Sequence, residues 1–559
     1  MHDFLRPIVI FLGSSVLLAG HAHAEADPLA KDPQEPLRVP LDRAKYRAAC
    51  PDYKNYAMRN HPPYSSGPME LPFQRPSRHC RTFESPLVEK VIDDMNEKMI
   101  DKDLARIFEN AFPNTLDTTV RWHVNGTEKK KKKTTDWVTG GKKDEGKWEG
   151  AQSFIVTGDI NAEWLRDSTN QLAQYQPLAK KDAAIKSLIL GAINTQVEYV
   201  IGSPYCNAFQ PPPPSGLAPT YGGGEDEVHP IYEPSFVFEC KYELDSIAHF
   251  LRLVNQFHDH TGSTEFLTPR WYLALDTVLD LLTHQSAPTF DEKTGAFVRN
   301  EYTFQRRTNA GTETLSLGGV GNPLNGGTGL VRSAFRPSDD ATILGFFIPA
   351  NAMMAVELKR AAAMLERAGK KKLAATLRTR GKVIEAGIWE HGVVTHKVYG
   401  EVFAFEVDGF GSSILMDDAN LPSLLALPLL GFVKASDKTY QNTRKMVLEK
   451  KGNPYYLKGE YFKGIGGPHI GLQHAWPMSV LTQAMTSEDD EEIEACLLMV
   501  KKASGLGLVH ESVNVDLAGD YTRSWFAWAN SVFAQTILDL ATRKPEILFG
   551  KGAEAYIVQ

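Results

Sequence analysis

Apolar residues recur at helical spacing along most of this chain, and proline-rich, glycine-rich or polar segments separate the helical patterns. A pattern within residues 157–177 ends at Pro177, which cannot continue a helix. The other patterns predict helices over residues 87–112, 182–200, 240–258, 270–284, 341–368, 372–389, 421–430, 437–450, 471–486, 488–502 and 524–541.

Extended patterns are short and lie only in the connections between these helices. They cover residues 119–124 and 296–306, and a hairpin of 392–397 with 402–407 around Tyr399-Gly400. About twelve helices, mostly in pairs, predict an all-α fold. We interpret it as an (α/α)6 toroid of paired inner and outer helices with small β-hairpin insertions, although no sequence repeat marks the pairs. In such a toroid the loops at one end of the inner helices form the site.

The N-terminus has the order of a secretory signal peptide. Arg6 precedes an apolar run over residues 8–19, and Ala22-His23-Ala24 is an A-x-A cleavage sequence. We therefore expect residues 1–24 to be removed and a secreted mature chain to begin near Glu25. A signal anchor that keeps the protein in the Golgi or another secretory lumen is the alternative.

The rest of the chain divides into an arm and one large domain. Residues 25–85 are rich in Pro and Arg and weakly periodic, which predicts an irregular N-terminal arm around a helical domain, residues 86–559. Residues 125–150 carry a lysine run and several glycines, and we interpret them as a solvated surface insertion. The sequon Asn125-Gly126-Thr127 at its start predicts a glycosylation acceptor.

Composition narrows the class of partner. The chain has 559 residues, a formal net charge of −7 and 42% hydrophobic residues. Mild acidity argues against a nucleic-acid partner, because phosphate binding needs a basic face. No apolar stretch is long enough to predict a membrane span. We expect a soluble monomer.

Cysteines fit an exported protein. They are Cys50, Cys80, Cys206, Cys240 and Cys496. The simplest pairing by proximity is Cys50–Cys80 with Cys206–Cys240, although proximity leaves other connectivities open. Cys496 lies in an apolar helical pattern, which indicates a buried thiol. There is no C-x-x-C and no zinc spacing, so we predict no metal site.

Dense polar clusters lie at the ends of several apolar helices. In the first, Glu163 and Asp167 would lie on one helix face at i and i+4, where two carboxylates repel each other. The other clusters lie at 238–246, 335–340, 407–420, 464–477 and 510–525. The candidate site residues are Trp164, Arg166, Asp167, Glu243, Asp339, Asp340, Asp408, His469, Trp476, His510, Glu511, Arg523 and Trp525.

Each cluster taken alone also has a structural interpretation. Ser338-Asp339-Asp340 is a good helix N-cap, Arg523 can pair with Asp520, and His469 can be a structural histidine. Six clusters at matching helix ends instead favour one shared polar cleft, with Trp164 as a flat apolar platform at its mouth.

The residue types in this cleft indicate carboxylate chemistry. The chain lacks G-x-S-x-G and H-E-x-x-H, and its glycine-rich segment 318–329 lacks the order of a phosphate loop. Many carboxylates beside aromatic rings suit glycoside hydrolysis. That reaction needs one carboxylic acid to protonate the leaving oxygen and one carboxylate to act as base or nucleophile.

Six ordered segments carry a resemblance to a known family: GDINAEWLRDS, KYELDS, FRPSDDA, EVDGFG with LMDDAN, GIGGPH followed by WP and QAMTS, and HESV followed by YTRSWFAWANS. They resemble glycoside hydrolase family 125. The resemblance implies an exo-acting, inverting α-mannosidase that removes terminal α-1,6-linked mannose from mannose-containing glycans with no metal or cofactor. Carried over by motif, the general acid falls on Asp339 or Asp340 and the general base on Glu511.

Physical roles agree with this assignment. A like-charged neighbour raises the pKa of a carboxyl group, so adjacent Asp339 and Asp340 are expected to keep the acid protonated. Two alternatives remain. One is a different exo-glycosidase or a polysaccharide lyase on the same toroid, and the other is a secreted mannan-binding protein that has lost catalysis.

Overall fold

A computed structural model describes residues 50–126, 150–222 and 225–558. The predicted signal peptide and most of the insertion at 125–150 lie outside the described residues, so both stay predictions. Among the described residues, no helix combines the length and apolar character that crossing a bilayer requires.

Helices make up most of the described domain. The longer ones are α1 (Pro86–Lys98), α2 (Lys102–Ala111), α3 (Leu165–Ala173), α4 (Ala183–Gly202), α5 (Leu244–Thr261), α6 (Pro269–His284), α7 (Ile348–Arg367), α8 (Lys371–His391), α9 (Lys438–Val447), α10 (Pro477–Met485), α11 (Asp490–Ala503) and α12 (Ala527–Arg543). Shorter helices are Tyr53–Tyr56, Asn114–Thr118, Ser316–Gly319 and Pro545–Phe549.

The helices form an inner and an outer layer. Helix α3 packs against α5 and α12, α5 against α7, and α10 against α12. These inner helices are apolar or buried on nearly all sides, as expected of helices in a core. Outside them, α8 packs along α7, α11 along α10, and α4 along α6. The mainly helical class is confirmed, while the six-plus-six arrangement of the toroid stays a prediction.

Strands are short, antiparallel and confined to the connections, as predicted. They pair Val120–Val124 with Gln152–Ile155, Asp226–His229 with Thr303–Arg306, Val393–His396 with Gly400–Phe403, and Tyr456–Lys458 with Lys463–Ile465. Three-stranded pieces join Glu163–Trp164, Ala208–Phe209 and Val237–Glu239; Phe346–Phe347, Glu406–Val407 and Ser413–Ile414; and His474–Ala475, Ser512–Asn514 and Tyr521–Thr522. The predicted hairpin around Tyr399-Gly400 is therefore confirmed.

Two predicted helices are wrong. The range 87–112 is two helices, because Asp101 caps the second one by accepting hydrogen bonds from the backbone N–H groups of Asp103 and Leu104. The range 421–430 forms turns. There, the N–H groups of Leu424 and Leu425 donate to the carboxylate of Asp417, and prolines within the range have no N–H to offer a helix.

Three other predicted helices begin later than expected beside the polar clusters. The one predicted over 471–486 begins at Pro477, because His474–Ala475 pairs with Ser512–Asn514 as a strand. Helix α7 begins at Ile348 because Phe346–Phe347 pairs with Glu406–Val407 as a strand. Helix α3 begins at Leu165 because Glu163–Trp164 pairs with Ala208–Phe209. The expectation that Glu163 and Asp167 share one helix face is therefore wrong.

The cysteines pair as the sequence predicts, while the N-terminal arm of residues 25–85, described here only from residue 50, stays a prediction. Residues 50–85 contain only the one-turn helix at Tyr53–Tyr56 and a 3-10 turn at Arg78–Cys80. Buried Arg75 ties this segment to the helical domain through Asp117, at 2.8 Å, and Glu89, at 2.6 Å. Disulfides Cys50–Cys80 and Cys206–Cys240 confirm the simplest pairing, and Cys496 is a buried free thiol.

Candidate active site

The inner helices begin at one polar site. The residue before each of them is extended, and no side chain caps the helix at that position: Trp164, Glu243, Phe347, Trp476 and Phe526. A helix start leaves backbone N–H groups unpaired and carries a partial positive charge. The carboxylates described below gather at these helix starts, where that charge favours them.

Arg166, in the first turn of α3, joins three of the predicted carboxylates. Its guanidinium donates to Glu243 at 2.6 Å and lies 3.2 Å from Asp167 and 3.6 Å from Asp339. The same group lies over the ring of Trp528. The structure therefore brings the first three clusters of the sequence into one site, with the Arg166 side chain buried beneath it.

Asn207 and Lys241 belong to this site, although neither was among the candidate residues. The Asn207 amide donates to Glu243 at 3.1 Å and to Asp339 at 3.3 Å, while its oxygen accepts from the backbone N–H of Lys241. Each residue directly follows a cysteine of the Cys206–Cys240 disulfide, which holds the two segments together. Lys241 lies in the second polar cluster and in the motif KYELDS, whereas for Asn207 the neighbouring cysteine is the only signal in the sequence.

The loop of residues 335–342, before α7, carries the two candidate acids. Buried Arg336 donates to Glu406 at 2.6 Å, and Glu406 also accepts from the backbone N–H of Leu344. This pairing fixes the loop and places Asp339 in a left-handed conformation, with φ of 66°. A non-glycine residue in that region is strained, which is common at functional sites. The alternative that Ser338-Asp339-Asp340 caps a helix is wrong, because α7 starts only at Ile348.

The two candidate acids differ in exposure. The Asp339 side chain is 24% exposed, whereas that of Asp340 is 2% exposed. Ser338 donates to Asp340 at 3.1 Å, and His469 lies 3.8 Å from the other oxygen of Asp340. Asp339 thus faces the cleft, while Asp340 lies behind it.

Glu511 forms a second carboxylate centre with Arg523. The Arg523 guanidinium lies 3.1 Å from Glu511 and also pairs with Asp159 in the first polar cluster. The alternative that Arg523 pairs with Asp520 is not supported, because Asp520 instead lies 3.6 Å from His474. Asp159 is a third residue that the candidate set omitted, although its cluster contained it.

His469 links the two carboxylate centres. Burial lowers its pKa, but Asp340, Asp339 and Glu511 together raise it to about 9. The ring lies 3.8 Å from Asp340, in the loop of the candidate acids, and the charges of Asp339 and Glu511 also act on it. The purely structural interpretation of His469 therefore does not account for its surroundings.

Glu243 and Asp339 form a coupled carboxyl pair. Burial raises the pKa of Glu243 well above its usual value, and the charge of Asp339 adds to this effect. Burial alone would also raise the pKa of Asp339, but Arg166 and Lys241 hold it well below its usual range. The expectation that adjacent Asp340 raises the pKa of Asp339 is therefore wrong, and the like-charged partner is Glu243.

Two other buried acids interact with this pair, Asp245 with Glu243 and Asp167 with Asp339. Burial raises the pKa of Asp167 to about 6 and that of Asp245 to about 7. In the strand Glu163–Trp164, burial also raises the pKa of Glu163 to about 8. Carboxyl groups at the site are therefore harder to ionise than they would be in water.

The tryptophan candidates are buried rather than open platforms. Trp164 packs against Phe238, which contradicts its predicted place as a flat surface at the mouth. Trp525 donates from its ring nitrogen to Asn114 at 2.6 Å. Trp476 is also buried and packs edge-on against Phe526. The three rings therefore pack in the protein interior and do not form an open surface.

The remaining candidates shape neighbouring loops. The His510 ring stacks on Tyr521 at 3.8 Å and contacts the carbonyl of Arg523, so it holds the segment that carries Glu511. The Asp408 carboxylate accepts from the backbone N–H groups of Phe410 and Ser412, which closes a turn. None of the hydrogen bonds described for Asp408 joins it to the acids of the cleft.

Among the described residues, one group of ligand-type side chains is close enough together to hold an ion. It consists of Cys50, His79 and Cys80. Its two cysteines form a disulfide and offer no thiolate. That group therefore does not fit a metal site.

Comparisons with known proteins show which family the chain belongs to. The family described as metal-independent α-mannosidase (GH125) matches residues 101–538. The meiotically up-regulated gene 157 protein of Schizosaccharomyces pombe is 52% identical over 501 residues, which cover 89% of this chain and 94% of that protein. A solved structure from Streptococcus pneumoniae, of a metal-independent α-mannosidase in a non-productive complex with α-1,6-mannobiose, is 31% identical with a TM-score of 0.69. That match covers 82% of this chain and 99% of the other. The chain therefore belongs to glycoside hydrolase family 125, the metal-independent α-mannosidases.

Proposed function

We propose that this protein is an exo-acting α-mannosidase that hydrolyses terminal α-1,6-linked mannose with inversion and without a metal ion. The observation that supports the proposal is a pair of carboxylate centres, Asp339 with Arg166 and Glu511 with Arg523, each in its own ion-pair network. The Streptococcus pneumoniae relative, which binds α-1,6-mannobiose, supports the linkage.

Asp339, rather than Asp340, is the general acid in this proposal. An acid must reach the leaving oxygen of the substrate, and only Asp339 exposes an appreciable part of its side chain. In the free protein the proton shared by the carboxyl pair lies on Glu243. Glu243 first passes its proton to Asp339 across their hydrogen bond, and protonated Asp339 then donates it to the leaving oxygen as that oxygen gains negative charge, so one proton moves from Glu243 to the glycosidic oxygen.

Glu511 is the general base. It takes a proton from a water molecule, whose oxygen attacks the anomeric carbon from the face opposite the leaving group. The bond from that carbon to the glycosidic oxygen breaks as Asp339 protonates the oxygen. The electron pair of this bond stays on the oxygen, so the products are mannose and a shortened glycan. Arg523 orients Glu511 through their 3.1 Å contact.

A panel of mannobioses tests this proposal. We expect mannose release from the α-1,6-linked isomer to exceed release from the α-1,2- and α-1,3-linked isomers. Preference for another linkage or another sugar would favour a different exo-glycosidase. Binding of mannobiose without hydrolysis would favour the non-catalytic mannan-binding alternative.

We also propose that the protein enters the secretory pathway. Two disulfides in the described chain support this, because such bonds persist mainly in oxidising compartments. N-terminal sequencing of protein from a eukaryotic expression medium should find a chain that begins near Glu25. An uncleaved chain retained in the cells would favour the signal-anchor alternative.

A further inference from the structure

A cavity of about 510 Å³ lies on a two-stranded ribbon outside the carboxylate site. The ribbon consists of the antiparallel strands Asp226–His229 and Thr303–Arg306. We call this cavity the ribbon groove. Its lining includes side chains of both strands and of Tyr232 in the following loop. No step of the proposed reaction uses it.

The side chains of the groove suit a neutral, hydroxyl-rich ligand. Glu227 and Gln305 are exposed and directly opposite each other in the ribbon, so their side chains project side by side from one face. Together they offer acceptors and amide donors next to the half-buried Tyr232 ring. A few polar groups beside an aromatic surface are typical of sites that bind small ligands by hydroxyls and an apolar face.

One ion pair of the groove is closed to an ionic ligand. Arg306 pairs with Asp226 through two hydrogen bonds of 2.7 and 2.8 Å. Arg306 also donates to Glu239 at 3.1 Å, so its charge is already balanced. The guanidinium is therefore not free to bind a phosphate, and the Asp226 carboxylate is not free to bind a cation.

The groove is connected to the acid side of the cleft. Glu239 lies between Arg306 and Lys241, with a 3.3 Å contact from the Lys241 ammonium to its carboxylate. Asn207 continues this connection, because it accepts from the backbone N–H of Lys241 and donates to Asp339 at 3.3 Å. These contacts lead to the candidate acid rather than to Glu511. The general acid protonates the leaving oxygen, so a groove connected to it favours a ligand that is part of the leaving group.

We propose that the ribbon groove is a leaving-group subsite that binds mannose units of the glycan beyond the scissile bond. The assignment rests on the proposed function. The Tyr232 ring contacts one sugar face, and Glu227 and Gln305 hydrogen-bond its hydroxyls. The subsite makes the enzyme favour longer α-1,6-linked mannosides over the disaccharide.

A comparison of substrate lengths tests the subsite. The full-length protein and its Tyr232→Ala and Gln305→Ala variants are assayed on α-1,6-mannobiose and α-1,6-mannotetraose. Tyr272→Ala is the matched control, because that half-buried tyrosine lies under Lys370, beyond the far end of α7. We expect Tyr232→Ala to lower kcat/KM on mannotetraose about fivefold to tenfold and to leave kcat/KM on mannobiose unchanged.

Other results of this assay would overturn either the subsite or the proposed function. An equal kcat/KM for both lengths in the unmodified protein, or an equal loss on both substrates in Tyr232→Ala, would overturn the subsite. Absence of hydrolysis of either substrate would instead overturn the proposed function. In that case calorimetric titration with mannotetraose decides the subsite. Weaker binding by Tyr232→Ala than by Tyr272→Ala supports the subsite, and equal binding or none overturns it.

Discussion

Glu243 and Asp339 are hydrogen-bonded carboxyl groups at the floor of the cleft, one at the start of α5 and the other in the loop before α7. Arg166 contacts both, and Asn207 donates to both. Burial opposes a charge on either group, but Arg166 and Lys241 favour the charge on Asp339. Of the two groups, Glu243 therefore binds a proton more readily, next to the exposed carboxylate of Asp339.

Because Asp339 is exposed to the cleft and Asp340 is buried, we predict different effects of replacing the two aspartates. Asp339→Asn should slow hydrolysis of α-1,6-mannobiose by roughly 10² to 10⁴. It should slow an activated aryl mannoside far less, because a good leaving group departs without protonation. Asp340→Asn is the matched control, since buried Asp340 contacts Ser338 and His469 rather than the open cleft. If Asp340→Asn alone showed the leaving-group dependence, the acid would be Asp340.

Glu511→Gln is predicted to keep the fold and to lower turnover by roughly 10² to 10⁴. The loss should be similar for good and poor leaving groups, because water must be activated in both cases. Asp520→Asn is a suitable control, as that nearby acid contacts Asn514 and His474 instead. Turnover close to that of the unmodified protein, in a Glu511→Gln variant with an unchanged circular dichroism spectrum, would remove Glu511 from the mechanism.

We predict that His469 makes a pH-dependent contribution to the stability of the folded protein. Its pKa is raised to about 9, above the value of about 6.5 expected in the unfolded chain. Protonated His469 therefore stabilises the folded protein fully below about pH 6.5, and this stabilisation disappears as the pH rises through about 9. His469→Gln should lower the free energy of unfolding at about pH 6 and change it little at about pH 10.

Urea denaturation of both proteins at the two pH values measures this difference. Because about a third of the His469 side chain is exposed to solvent, the effect will be smaller than the pKa shift alone implies. A difference in unfolding free energy that stays constant between the two pH values would show that the charge of His469 does not contribute.

Hydrolysis is predicted to survive extensive chelation. Asp417 and Asp418 are the paired carboxylates that a Ca²⁺ ion would be expected to use. The Asp417 carboxylate, however, already accepts hydrogen bonds from the backbone N–H groups of Leu424 and Leu425, and burial raises its pKa to about 8. Activity before and after treatment with a chelator is the measurement. Activity that disappears and returns with Ca²⁺ would contradict a metal-independent reaction.

Local patterns predicted much of the fold because helical periodicity depends on neighbouring residues. They failed where a distant segment decides the structure. The apolar run before Ile348 fits a helix, but Phe346–Phe347 pairs with Glu406–Val407, a contact that periodicity does not contain. The turns at 421–430 likewise depend on the Asp417 carboxylate. It accepts hydrogen bonds from backbone N–H groups of this segment that would otherwise donate to carbonyl groups within a helix.

The candidate site likewise contains residues that sequence motifs identified and residues whose place depends on distant contacts. Six motifs contained Arg166, Glu243, Asp339 and Glu511, which the structure gathers around connected ion pairs. Asn207 lies outside those motifs, and its place depends on the Cys206–Cys240 disulfide and on the backbone of Lys241. Burial also could not be read from composition, so Trp164 was predicted to be an open platform although it is buried.

Stereochemistry tests the central claim most directly. If Asp339 is the acid and Glu511 activates water on the opposite face, each turnover must invert the anomeric centre. Proton NMR of the first turnovers on α-1,6-mannobiose, recorded before mutarotation, should therefore show β-mannose. Initial release of α-mannose would make Glu511 a nucleophile or exclude it, and would contradict the mechanism proposed here.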